Sequence, residues 1–125
     1  MPEANPEPMT QIAFIILAAG DTHESLGRVV NALMGALESV ELGETVQIVF
    51  DGAGTQAAAA LAKADHKYHE LFERVRAAVT VCSYCAEAYE MTEKIKAANL
   101  PLVDEFKGHP SFRKLVERGF QILTF

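Results

Sequence analysis

"QIAFIILAAGDTHESLGRVVNALMGALESV", residues 11–40, changes its hydrophobic period partway along. Residues 11–19 form a continuous apolar run, too short for a buried helix and suited to a central strand covered on both faces. "GDTHE" then reads as a turn into a helix, with Asp21 placed to cap and Glu24 three residues on to return a bond to the cap amide. Beyond it Leu26, Val29, Val30, Leu33, Leu37 and Val40 recur at helical spacing, and Gly43 stands just past them as a stop. A buried strand is therefore followed by a one-faced helix lying on a sheet.

The same alternation continues to the end of the chain. "TVQIVF", residues 45–50, reads as a second strand closed by "DGAG", and an alanine-rich piece covers 56–64. Residues 66–78 place Tyr68, Leu71, Phe72 and Val75 on one helical side. "AAVTVCS", 77–83, is the third strand, and 84–98 is helical in pattern, with Ala88, Met91 and Ile95 on one face. "LPLVD", 100–104, suits a strand starting at a proline. "HPSFRKLVERG", 109–119, is a short helix with proline in its first turn and glycine at its end, and "FQILTF" closes the chain as a strand. The expected fold is α/β: a single three-layer domain of about five mainly parallel strands with helices on both faces, spanning 11–125. Residues 1–10, with "MPEANPEPM", read as a disordered acidic, proline-rich tail.

Composition narrows the function. At 125 residues, half of them hydrophobic, the chain can bury one core without staples. A net charge of −6 sets the average field against a phosphate backbone, so nucleic acid is not an expected partner. No apolar run approaches the roughly 20 residues needed to span a bilayer, so no membrane segment is expected. Two cysteines cannot build a disulfide framework, and a reducing cytoplasm is the default compartment.

In open parallel sheets, ligands gather beyond the carboxyl ends of the strands. The turns there hold Asp21, Thr22 and His23; Asp51, Gly52 and Gly54; Cys82, Ser83, Tyr84 and Cys85; and Asp104 and Glu105, with His109 close behind. One rim of candidate ligand-binding residues is expected from this pattern.

Cys82 and Cys85 are the cysteines of that rim, one ending a strand and the other opening a helix. Unpaired amides in a first helical turn favour an anion and can lower a thiol pKa from about 8.5. The C-x-x-C spacing also fits a dithiol redox pair, but the intervening Ser83-Tyr84 departs from glycine-proline and the chain has no tryptophan. Two inert, buried cysteines are the plain alternative. A zinc site joining them to His66 and His69 is not expected, because those histidines precede the third strand and a strand of five residues separates its ends by roughly 17 Å. "DGAG" is too short for a dinucleotide fingerprint, and no Walker loop or G-x-S-x-G is present, so no cofactor is expected.

The combination of "AFIILAAGDTHESLGRVVNALMGALESVELGETVQIVFDGAG", "VTVCSYCAEAYEM" and "GHPSFRKLVERGFQILTF" resembles the DsrE/DsrF-like, or sulfur-relay, proteins over residues 11–125. The resemblance implies a small α/β protein assembled as a homotrimer or hexamer. It also implies a cysteine after the third strand that carries a persulfide between sulfur-donor and sulfur-acceptor proteins. That position matches Cys82, whose sulfur is expected to face a partner, with Cys85 lying further under its neighbours. The crowded apolar terminus Phe120, Ile122, Leu123 and Phe125 agrees with an interface. Three readings stay open: a persulfide carrier, a dithiol redox protein using Cys82 and Cys85, and a non-catalytic oligomeric binding module.

Overall fold

The computed structural model describes residues 10–125; the tail expected at residues 1–10 lies outside them except for Thr10. The strands are β1 (Gln11–Ile16), β2 (Thr45–Phe50), β3 (Val79–Cys82), β4 (Leu102–Val103) and β5 (Gln121–Thr124). Between them lie α1 (His23–Glu41), α2 (Gly54–Leu61), α3 (His69–Val75) with a 3₁₀ turn at Arg76–Ala78, α4 (Ser83–Ala88), α5 (Thr92–Ala97) and α6 (Phe112–Glu117). All four strand pairings are parallel, in the order β4-β3-β2-β1-β5.

That order dictates where the helices go. The chain moves from β1 to β2, β3 and β4 in one direction, so right-handed crossovers place α1 to α5 on one face. The step from β4 to β5 runs back across the whole sheet and puts α6 on the other. Packing agrees: Phe14, Ile16, Ile48, Phe50, Val79 and Val81 meet Val29, Leu33, Leu61, Phe72 and Ile95 in one core. On the opposite face Ala13, Ile15 and Val49 meet a smaller cluster, Leu115 of α6 and Phe120, with Ile122 of β5 packed against it. The three layers are therefore unequal.

Several local expectations are corrected. Thr22, not Asp21, caps α1: its Oγ1 accepts the Ser25 amide at 3.1 Å. Glu24 does not return to the cap but pairs with Arg28 one turn on. The helix expected over 84–98 is two helices, because Glu90 takes a left-handed φ of 58° and Met91 N–H bonds back to the Ala86 carbonyl, closing α4. Likewise 66–78 opens as turns: His66 accepts the Tyr68 amide through Nδ1, and α3 begins only at His69. Gly54 opens α2 where a Cβ would sit 1.9 Å from the Ile16 carbonyl oxygen, so only glycine lets α2 come this close to β1.

Candidate functional site

Register brings the site together. Phe50 of β2 pairs with Val81 of β3, so the next residues, Asp51 and Cys82, emerge side by side at the carboxyl edge. Cys82 is also paired with Val103 of β4, and the chain leaves β4 through Asp104. It then doubles back in a tight turn. Phe106 and His109 exchange backbone hydrogen bonds of 2.8 and 2.9 Å, and Lys107 and Gly108 have φ of 50° and 88°, the signs of a type I′ turn. Asp104 Oδ1 accepts the Gly108 amide at 2.7 Å. Glu105 Oε1 accepts the Ser111 amide at 3.1 Å, tying the turn to α6 and holding the Glu105 carboxyl below its ordinary pKa. His109 is thereby returned over the end of β3.

Four side chains converge there. One ligating atom from each of Asp51, Cys82, Cys85 and His109 lies within 4.8 Å of the others. Cys82 caps α4: its Sγ accepts the Cys85 amide at 3.4 Å. The same sulfur is 3.6 Å from His109 Nδ1 and 3.9 Å from the Gly108 carbonyl oxygen. The Tyr84 ring packs against the His109 imidazole at a tilt of 32° with ring centroids 4.4 Å apart, and the Tyr84 amide donates to Gly108 O at 2.8 Å. Asp51 is only 8% exposed, and its Oδ1 accepts the Gly52 amide at 2.9 Å. None of the ion pairs among the described residues includes Asp51.

Burial decides the resting chemistry. Cys82 is wholly buried, and desolvation pushes its thiol up to about 12, with Asp51 adding to the rise and the Cys85 amide opposing it. Cys85 is raised as well, first by burial and then by its hydrogen bond with Asp51. The helix start does not win this contest, since one amide bond cannot offset removal from water beside a carboxylate. Exposure is also the reverse of that expected: Cys82 lies beneath the 106–109 turn, while Cys85 is partly exposed.

Of the other rim residues, Gly52, Ser83, Tyr84 and Asp104 border the cluster. Asp21, Thr22 and His23 do not join it: they follow β1, which β2 separates from β3, and all three are exposed. His66 and His69 are likewise occupied elsewhere, His69 Nδ1 lying 2.8 Å from the Leu61 carbonyl oxygen. Gly108 was not singled out by the sequence, although the K-G-H-P run is a turn signal. A Cβ on it would also press within 3.2 Å of the Tyr84 Cβ.

A single parallel-sheet domain with a C-x-x-C at the carboxyl end of β3 defines the class: a small α/β protein with a thiol-bearing rim. The chain belongs to the DsrE/DsrF-like family, whose model matches residues 10–125. An uncharacterized protein of Methanocaldococcus jannaschii is 28% identical over 114 residues, covering 90% of this chain and 93% of that protein. The fold is also similar to a conserved protein of unknown function from Bacteroides thetaiotaomicron, with a TM-score of 0.63, 18% identity, and 92% and 95% of the two chains covered. Family membership points to a sulfur-relay type of role. Among the described residues no helix is long and apolar enough to cross a membrane.

Proposed function

We propose that this protein carries sulfane sulfur on Cys82, with His109 as the base that frees the sulfur for attack. The observation that carries the reading is the 3.6 Å approach of His109 Nδ1 to Cys82 Sγ, at the end of the third strand, the position to which the family resemblance assigns an acceptor cysteine. A thiol held near pKa 12 is inert by itself, so a base within reach is what the step needs. Cys82 attacks the terminal sulfur of a donor persulfide, and the donor S–S bond breaks with its electron pair going to the donor sulfur. The Cys82 proton passes through His109 to that leaving thiolate. No electrons are gained or lost overall.

Access requires local opening of the 106–109 turn, whose first residue, Phe106, is 61% exposed and available to a docking donor. Self-assembly as a homotrimer or hexamer belongs to the same proposal. The sheet face covered by α6 alone, with Phe112 and Val116 exposed on that helix, supports it. Partners are further copies of the chain and sulfur-donor and sulfur-acceptor proteins, in a reducing cytoplasm that keeps both thiols free.

The partial exposure of Cys85 favours a second reading, in which it attacks a persulfide held on Cys82. Cys85 sulfur bonds to Cys82 sulfur, the terminal sulfur leaves as hydrosulfide, and the thiol pair ends as a disulfide. The test is sulfur transfer from a cysteine desulfurase loaded with labelled cysteine. The carrier reading expects label on wild type, none on Cys82→Ser, slower loading of His109→Ala, and longer-lived label on Cys85→Ser. A disulfide with no persulfide at any time would favour dithiol exchange instead.

A further inference from the structure

We propose that Asp51, Cys82, Cys85 and His109 form a four-ligand site for a zinc-class divalent cation. Two sulfurs, an imidazole and a carboxylate suit such a borderline-soft ion and exclude magnesium or calcium, which take all-oxygen sets.

The spacing fits the ion. Zinc–sulfur and zinc–nitrogen bonds of about 2.3 and 2.05 Å at a tetrahedral angle put sulfur and nitrogen roughly 3.6 Å apart. Cys82 Sγ and His109 Nδ1 stand 3.6 Å apart, and no pair in the set exceeds 4.8 Å. Closing the longer separations takes shifts within side-chain reach. The ligands also come from four backbone positions fixed independently of any ion. Asp51 and Cys82 are set by the β2–β3 register, Cys85 by the first turn of α4, and His109 by the 106–109 turn.

The surroundings are those of a ligand shell. The Cys85 amide already donates to Cys82 Sγ, as it would to a coordinated thiolate. Gly52 N–H fixes Asp51 through Oδ1, and the Tyr84 ring packs at a tilt against the His109 ring and limits its rotation. Asp51, nine-tenths buried, has no lysine, arginine or histidine ion-paired with it among the described residues, so its carboxylate faces the two sulfurs and the imidazole with no protein cation beside it. Partial exposure of Cys85 and His109 gives an ion a way in.

The histidines that the sequence offered as partners, His66 and His69, are not in this set; Asp51 and His109 are. A bound ion would occupy Cys82 Sγ, so metal binding and sulfur loading exclude each other, the ion marking a closed state.

The test is cobalt titration of untagged, reduced, metal-stripped full chain, with no sulfur donor present, so its outcome is independent of the carrier reading. The expected result is tetrahedral d–d absorption with thiolate-to-cobalt charge transfer saturating at one ion per chain, and displacement by zinc. Charge transfer should fall by about half in Cys85→Ser and in Cys82→Ser, and Asp51→Asn and His109→Gln should weaken binding at least tenfold. Circular dichroism confirms folding of each variant, and the partly exposed Cys85 is the least disruptive place to cut. Absence of the spectrum in folded wild type, an octahedral spectrum without charge transfer, or unchanged binding in folded Cys85→Ser would each overturn the proposal.

Discussion

Alkylation of the metal-free protein should separate the two cysteines sharply. A free cysteine with a pKa of about 8.5 is roughly 3% thiolate at neutral pH. Cys82, pushed up to about 12, is thiolate in roughly one molecule in 10⁵, a loss of about 3,000-fold in reactive species. The more basic thiolate is the better nucleophile, which recovers roughly 40-fold at a Brønsted slope near 0.45. Ionisation alone therefore slows Cys82 about 100-fold relative to a free thiol, and its complete burial slows it further. Cys85 is raised too but partly exposed, so it should label first. The assay is a timed iodoacetamide pulse on native protein, with fragmentation of the peptide holding both cysteines to locate the adduct. Denaturant should bring the two rates together. Cys82 labelling as fast as free cysteine in the native state would refute the reasoning, since burial would then not govern this thiol.

Two further outcomes follow from the same geometry. Gly54→Ala drives a methyl to 1.9 Å from the Ile16 carbonyl oxygen, a backbone atom that cannot step aside. The expected cost is about 3 kcal/mol, or roughly 10 °C in Tm by calorimetry, and an unchanged Tm would contradict the close approach of α2 to β1. The raised Cys82 thiol also makes stability depend on alkaline pH: the unfolded thiol ionises above about 8.5 while the folded one stays protonated until near 12. Its contribution is fully present below about pH 8.5 and is lost as pH rises, by up to about 1.4 kcal/mol per pH unit. Urea unfolding of metal-free protein should show that slope, and Cys82→Ala should reduce it to the smaller part contributed by the raised Cys85 thiol.

The α/β alternation was legible because β1 and α1 differ so plainly in period, and the parallel sheet followed from helices standing between successive strands. The break between α4 and α5 was not, since it rests on a glutamate, Glu90, in a left-handed conformation that sequence reserves for glycine or asparagine. The rim was legible as a set of strand-end turns, but its partition was not. Which turns meet depends on strand order, and β2 between β1 and β3 sends Asp21, Thr22 and His23 away from the cysteines. The proximity of Asp51 to Cys82 is a matter of register, and that of His109 is a matter of one turn returning the chain. For the same reason the relative burial of Cys82 and Cys85 is the reverse of what the local sequence implies. Helix position alone puts Cys82 at an open strand end, whereas the 106–109 turn folds over it.

The claim that Cys82 accepts sulfane sulfur is tested most directly by locating the adduct. Wild-type chain is loaded from a persulfide donor, trapped by rapid acid alkylation and fragmented between residues 82 and 85. One added sulfur is expected, on Cys82, removable by reductant and slower to form in His109→Ala, which loses the imidazole 3.6 Å from the sulfur. Added sulfur on Cys85 with Cys82 unmodified, or none on either thiol, would contradict it.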